Sequence, residues 1–383
     1  MPRRARHLRR RHLNPRFVVF CITVFFAIAG IIVCIVALSG KKDTPPVEQN
    51  EPEPPVTTDE KPKEDLESKD PTEEVYTGPV NPLTGLPVDE DISSLRPYAV
   101  MFNNIKIATP QCGISKADII YETLAEGGIT RLEGIFQDIS VTDTLGSVRS
   151  SRPYFLDLAQ GHDAVYVHAG GSDDAYIEIR SRGIDNIDGV NGSGETFFRD
   201  SWRKSNMGYE HSLMLDTTLV PDYMENHDIR TEHGEGYEYK MAFSDTPKPT
   251  GSGADNINVV FSSGKYTDFE YDASDKLYRV SQYGSEMLDS LDGAQLEVKN
   301  VLVLSADMWQ ISGDDKGRLY GEFTGEGTGH FACEGSYIPI KWSKDSYTSQ
   351  FVYTLEDGSE LEFGRGTSYI CIIPESSGDV NFT

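Results

Sequence analysis

The sequence predicts an α+β fold: an N-terminal mixed α/β lobe and an antiparallel, β-rich C-terminal domain, preceded by a single transmembrane helix and a disordered stalk. Three observations carry this. Residues 17–38 form an unbroken apolar run. Strand-like and helix-like segments alternate between residues 96 and 182. After a turn-rich stretch at 244–256, only short strand-like segments follow.

The apolar run, FVVFCITVFFAIAGIIVCIVAL, is long enough at roughly 1.5 Å per helical residue to cross a hydrocarbon core of about 30 Å. Arg3, Arg4, Arg6, Arg9, Arg10, Arg11 and Arg16 precede it with no acidic residue among them, and Lys41 and Lys42 follow. The positive-inside bias then makes residues 1–16 a cytoplasmic tip and places the rest outside, as a single-pass protein of the plasma membrane. A cleaved signal peptide ending at Ala37-Leu38-Ser39 is the alternative, but the run exceeds the usual apolar length of such peptides. Residues 39–79 are acidic and proline-rich without apolar periodicity, which reads as a charge-extended stalk.

The formal net charge is −26 over 383 residues, and the exported part is more negative still once the arginine-rich tip is set aside. Such a surface repels nucleic acid and excludes a DNA or RNA role. A polyanion would need a local basic pocket acting against the global field. Cys112, Cys333 and Cys371 lie outside the anchor, too far apart in sequence to read as a disulfide framework; a Cys333–Cys371 bridge and buried free thiols are both open.

The N-terminal lobe is placed at residues 80–243. Arg96–Asn104, Ala117–Glu122 and Gly127–Asp138 read as strands, and Pro153–Ala159 as a helix with proline in its first turn. Ala164–His168 reads as a short strand and Asp173–Arg182 as a helix with acidic residues at its start. The C-terminal domain is placed at 257–375, where segments such as NVLVLSAD, YIPIKWS and YICIIP are separated by Gly, Asp and Ser. The glycines of GEFTGEGTGH match no phosphate loop, because no Gly-Lys-Ser/Thr follows, and read as a hairpin turn. The sequence calls for no cofactor.

The most suggestive site is GSVRSSR, residues 146–152, between a strand and a helix. Arg149 and Arg152, with Ser150 and a nearby Arg131, have the chemistry to hold phosphate or carboxylate through bidentate pairs. The alternative is that Arg149 and Arg152 pair with buried acids such as Glu122 or Glu126 and lock the fold. Glu122 and Glu126 are themselves weak candidates for an acid/base pair, if about 5–9 Å apart. The turn His168-Ala-Gly170-Gly171-Ser172 has glycines that let backbone N–H groups approach an anion and a serine suited to cap the next helix. His211, His227 and His233, near Asp222 and Glu232, lack metal-ligand spacing, so no metal site is assigned.

Taken together, NPLTGLP, RPYAVMFNN, ADIIYETLAEGGITR, GSVRSSRPYFLDLA and VHAGGS, followed by GEGTGHFACEG, IKW and GTSYICIIP, resemble the YerB-like bacterial envelope proteins. That family pairs an N-terminal and a C-terminal domain of unknown function. The resemblance covers nearly everything from about residue 80 to 375. It implies an α-plus-β structure at the outer face of the membrane of Gram-positive-type bacteria. Members are often lipoproteins; this chain has an apolar anchor instead. Many members read Pro-His-Asn where this chain has Tyr209-Glu210-His211, and no catalytic residues come with the family. The expected role is a non-enzymatic envelope protein whose Arg131, Arg149 and Arg152 bind an anionic or carbohydrate wall ligand. The alternatives are a cell-wall hydrolase or transferase using Glu122 or Glu126, or a scaffold for another membrane protein.

Overall fold

The computed structural model describes residues 76–192 and 194–383. The tip, the apolar run at 17–38 and the stalk as far as residue 75 lie outside the described residues. Among the described residues no helix is long and apolar enough to cross a membrane.

The N-terminal half contributes five strands to the main sheet: β1 (Tyr98–Asn103), β2 (Ile119–Leu124), β3 (Thr130–Phe136), β4 (Val165–His168) and β5 (Asn186–Asp188). The first three are buried throughout apart from Tyr98, as strands covered on both faces must be, including the polar Glu122, Thr123, Thr130, Arg131 and Glu133. Helix α1 (Pro153–Gly161) starts on a proline that needs no hydrogen-bond partner at that position. Helix α2 (Asp173–Arg182) is capped by Ser172, which accepts from the Ala175 N–H, and it stops at Gly183 in the left-handed conformation. Two short helices, α3 (Ser201–Asn206) and α4 (Val220–Asn226), complete this half.

The C-terminal half supplies β6 (Asn256–Ser262), β7 (Lys265–Asp272), β8 (Leu277–Gln282), β9 (Asn300–Gln310), β10 (Gly325–Cys333), β11 (Ser336–Lys344), β12 (Ser368–Pro374) and β13 (Asp379–Phe382). Strands from both halves join side by side in one twelve-stranded sheet with the central order β11-β10-β9-β12-β2-β3-β1-β4-β5. The joint is β12, which runs parallel to β9 on one side and to β2 on the other, pairing Tyr369 with both Val301 and Ile120. A second, antiparallel sheet of six strands contains β8-β7-β6-β13. It covers the face of the main sheet that carries Ile120 and Glu122, where the Phe269 and Tyr369 rings meet edge to face at 5.1 Å. Helix α1 covers the opposite face, and its Tyr154 hydroxyl donates to the Leu124 carbonyl at 2.7 Å.

The structure is therefore mixed α/β and strand-rich with few helices, and two sequence expectations need correction. The C-terminal half is not purely antiparallel. Its last long strand, buried along its whole length, enters between two parallel neighbours, and the Tyr-Ile-Cys-Ile-Ile run carries the continuous apolar character such a position demands. The glycine-rich stretch at 325–333 is not a turn but β10, paired residue for residue with β11 from Gly325–Lys344 to Cys333–Ser336. Its glycines serve close packing. A Cβ on Gly327 would sit 2.4 Å from the Trp342 indole, and one on Gly329 would sit 2.5 Å from the Val303 carbonyl oxygen. Cys112, Cys333 and Cys371 are buried free thiols.

Candidate functional site

The strand period separates the two glutamates of YETLAE. Glu122 pairs in register with Leu132, whereas Thr123 pairs with Arg131, so Glu122 and Arg131 point to opposite faces of the sheet. Glu126 follows the strand in a short turn in which Gly127 and Gly128 both have positive φ, near +73° and +75°. That turn, open to glycine at no steric cost, folds Glu126 back onto the Arg131 side. The two carboxylates therefore face different surroundings and share no cleft.

On the arginine side, Glu126 is the hub. Arg131 Nη2 meets its Oε1 at 2.8 Å, Arg152 Nε donates to its Oε2 at 3.0 Å, and Arg152 Nη2 also reaches Oε1. Arg131 and Arg152 are only 5% and 8% exposed. Their remaining donors hold the backbone: Arg131 Nη1 donates to the Ser150 carbonyl at 2.8 Å and Arg152 Nη1 to that of Ser151 at 2.6 Å. Arg149 stands further out. It donates to the Glu210 carbonyl at 3.1 Å and lies 3.6 Å from the exposed Glu210 carboxylate.

Charge in this cluster is unbalanced. Burial opposes ionisation of Glu126, but Arg131 and Arg152 outweigh it and hold the carboxyl down at about 2. Arg131 is pulled down to about 10, first by burial and then by Arg152 beside it. Arg149 is lowered as well, chiefly by burial. Two guanidinium groups, Arg131 and Arg152, share the half-buried Glu126 carboxylate, while Arg149 is held by Glu210.

The turn after β4 packs directly on this cluster, but its polar groups are engaged within the protein. Ser150 Oγ donates to the Ala169 carbonyl at 3.0 Å, and the Ser151 N–H donates to Gly170 O at 2.9 Å. The His168 ring nitrogens face the Gly170 carbonyl at 2.8 Å and Asn186 Oδ1 at 3.1 Å. The anion held by the Gly170 N–H is the protein's own Asp188, at 2.8 Å. Gly171 pairs with Ser151, and Ser172 caps α2. The Ser150 hydroxyl, both His168 ring nitrogens, the Gly170 N–H and the Ser172 hydroxyl are thus all engaged within the protein.

The loop beside Arg149 adds an exposed rim. The Arg199 guanidinium lies 3.6 Å from the Tyr209 ring centroid and donates to the Tyr209 carbonyl at 2.7 Å; Lys204 approaches the same ring. Phe198, Trp202 and Tyr209 are all exposed large apolar side chains on this segment. His211 is buried with Nδ1 2.9 Å from Asn103 Nδ2. His227 stacks on Tyr223, and His233 faces Asp163.

Glu122 belongs to a different network, fully enclosed between the sheets. Asn104 Nδ2 and Thr130 Oγ1 donate to its Oε1 at 3.0 and 2.6 Å, and Lys265 Nζ lies 3.0 Å away. Thr267 Oγ1, the Tyr369 hydroxyl and Gln282 Nε2 donate to Oε2 at 2.8, 2.7 and 3.3 Å. Sequence reasoning missed this set. The signal was in KYTDFEYD, where Lys265, Thr267 and Phe269 alternate onto the buried face of β7. A separate polar cavity of about 650 Å³ is lined by Arg96, Asp163, Asp185 and Arg230 among others; Arg96 pairs with Asp163 and Asp185, and Arg230 with Asp163.

Comparison with known proteins agrees with this architecture. Residues 83–230 match the N-terminal domain and residues 257–370 the C-terminal domain of a protein of unknown function, DUF3048. YerB of Bacillus subtilis, named as a candidate lipoprotein, is 30% identical over 302 residues, covering 77% of this chain and 86% of that protein. The crystal structure of the YerB protein from Bacillus subtilis superposes with a TM-score of 0.69 at 28% identity, over 79% of this chain and 99% of the other. With both domains present in order and a relative matched over most of its length, the chain belongs to the DUF3048, or YerB-like, family.

Proposed function

We propose that this is a membrane-tethered, extracytoplasmic binding protein of the bacterial envelope, and that the Arg131–Arg149–Arg152 cluster takes an anionic wall polymer. The observation that carries the reading is the excess of guanidinium over carboxylate: Arg131 and Arg152 share the single carboxylate of Glu126, and Arg149 has only the exposed Glu210. Arg149 is the outermost of the three and held to a single exposed carboxylate, so it makes first contact. Arg131 and Arg152, fixed by Glu126, supply field from below. The aromatic rim at Phe198, Trp202 and Tyr209 suits the sugar or polyol backbone of such a polymer. The tether is the apolar run at 17–38, in the place where the Bacillus subtilis relative is named as a candidate lipoprotein.

The test is binding of poly(glycerol phosphate) to the detergent-solubilised protein and to Arg149→Ala. Saturable binding that weakens with salt and falls about tenfold in the variant supports the proposal. Binding of equal strength in Arg149→Ala, with an unchanged melting temperature, overturns it.

A further inference from the structure

The end of β9 leaves the sheet and pairs with a short strand, Leu319–Glu322, as a two-stranded ribbon. Its register puts Trp309 opposite Tyr320 and Asp307 opposite Glu322, while Met308 faces Gly321. Residues directly opposite one another share a side, and successive rungs alternate sides. Met308 and Gly321 are the buried side: a Cβ on Gly321 would lie 3.3 Å from Tyr154 of α1. The other side therefore carries two consecutive rungs, one aromatic and one acidic.

The aromatic rung is open to solvent, with Trp309 50% and Tyr320 40% exposed and their ring centroids 4.8 Å apart. Among the described residues no cation lies over either ring, although several other rings are covered in that way. The acidic rung lies two residues away, about 7 Å along the strands. Among its near neighbours, Glu322 accepts from Thr324, and Arg318 is bound to Asp314 in the connecting loop.

We propose that this ribbon face is a docking surface for a basic segment of a protein partner, read chiefly through arginine. A guanidinium stacks on an exposed indole and at the same time bonds a carboxylate in its own plane, and the two rungs offer both at the reach of one side chain. Charge complementarity selects the occupant, since two carboxylates beside the rings repel the anionic ligand assigned to the arginine cluster. The surface is independent of that cluster.

The probe is a tetra-arginine peptide, titrated into the full-length protein in detergent and followed by isothermal titration calorimetry. Trp309→Ala and Tyr320→Ala should each weaken binding about five- to tenfold, and Asp307→Asn with Glu322→Gln should do so together. All of these side chains lie on the exposed face, so melting temperatures should hold. Because the whole chain is strongly acidic, a polycation has a non-specific mode of attachment available. Binding undiminished by Trp309→Ala identifies that mode and overturns the proposal, as does absence of binding. Equal binding of a neutral oligosaccharide that Trp309→Ala abolishes also overturns it, in favour of a glycan platform.

Discussion

Replacing Lys265 by methionine removes the cation from a carboxylate that has no contact with water. Glu122 is 0% and Lys265 1% exposed, with Nζ 3.0 Å from Oε1. Losing one partner of a buried pair costs about 3–5 kcal/mol, because the other charge stays behind unmatched. Here five uncharged donors, from Asn104, Thr130, Thr267, Gln282 and Tyr369, remain on the carboxylate. They soften the loss, so the low end, about 3 kcal/mol, is expected. Glu122→Gln should cost a similar amount, since it strands Lys265 and turns an amide N–H toward groups that themselves donate. The double variant should lose well short of the sum, with a coupling of about 2 kcal/mol. Urea unfolding followed by both tryptophan fluorescence and far-UV circular dichroism measures each value. Glu122 lies on β2 and Lys265 on β7, from the two halves of the chain joined through β12, so each variant should shift one shared transition. Losses below about 1 kcal/mol, strict additivity, or two separate transitions of which one alone moves would refute this reasoning.

Three further outcomes are expected. Glu126, held at about 2 in the fold against an unfolded value near 4.5, contributes stability that is present above about pH 4.5 and lost as pH falls toward 2; Glu126→Gln should flatten that stretch of a stability–pH curve and lower the melting temperature at neutral pH. Gly329→Ala forces a methyl group against the Val303 carbonyl, a backbone neighbour that cannot swing aside, and should cost about 1–3 kcal/mol by chemical denaturation, with no such loss for Gly253→Ala, where a Cβ meets nothing. Asp289 is fully buried and accepts from the Gly113, Ser115 and Leu291 N–H groups, each at 2.9 Å; Asp289→Ala leaves them unpaired and should cost about 3 kcal/mol in the same measurement.

Much of the strand and helix pattern could be read directly because the local physics was unopposed. The helix Asp173–Arg182 has its capping serine, acidic first turn and terminal glycine in sequence, and its observed bounds coincide with the expectation. The strand around Val100 declares itself by a continuous apolar run, that around Ile120 by its Ile-Ile-Tyr start, and that around Leu132 by alternation of apolar and polar residues. β10 was hidden because glycine ordinarily weakens a strand; here Trp342 and Val303 fill the space that side chains would have taken, a contact made by partners distant in sequence. The parallel entry of β12 was hidden for the same reason, since pairing direction is set by neighbours some 70 and 250 residues away.

At the arginine cluster, the residue types and their convergence were legible, and so was the competing idea of pairing with an acid. Which acid was not. Both glutamates of YETLAE looked equivalent, and only the two-residue strand period and the positive-φ glycine turn send Glu126 to the arginines and Glu122 to Lys265. Likewise, glycines at 170 and 171 announced an anion near the turn without revealing that Asp188, from the neighbouring strand, is that anion.

An anion site and a closed structural lock at the three arginines differ in how their guanidinium groups respond to an added polyanion. The side-chain Nε–Hε resonances of Arg131, Arg149 and Arg152, followed by nuclear magnetic resonance during titration with poly(glycerol phosphate), separate the two most directly. An anion site predicts a saturable shift, largest for Arg149 and smaller for Arg131 and Arg152, that is reversed by salt. Resonances that stay in place at saturating polymer, or that move only together with those of remote arginines such as Arg279, would contradict it.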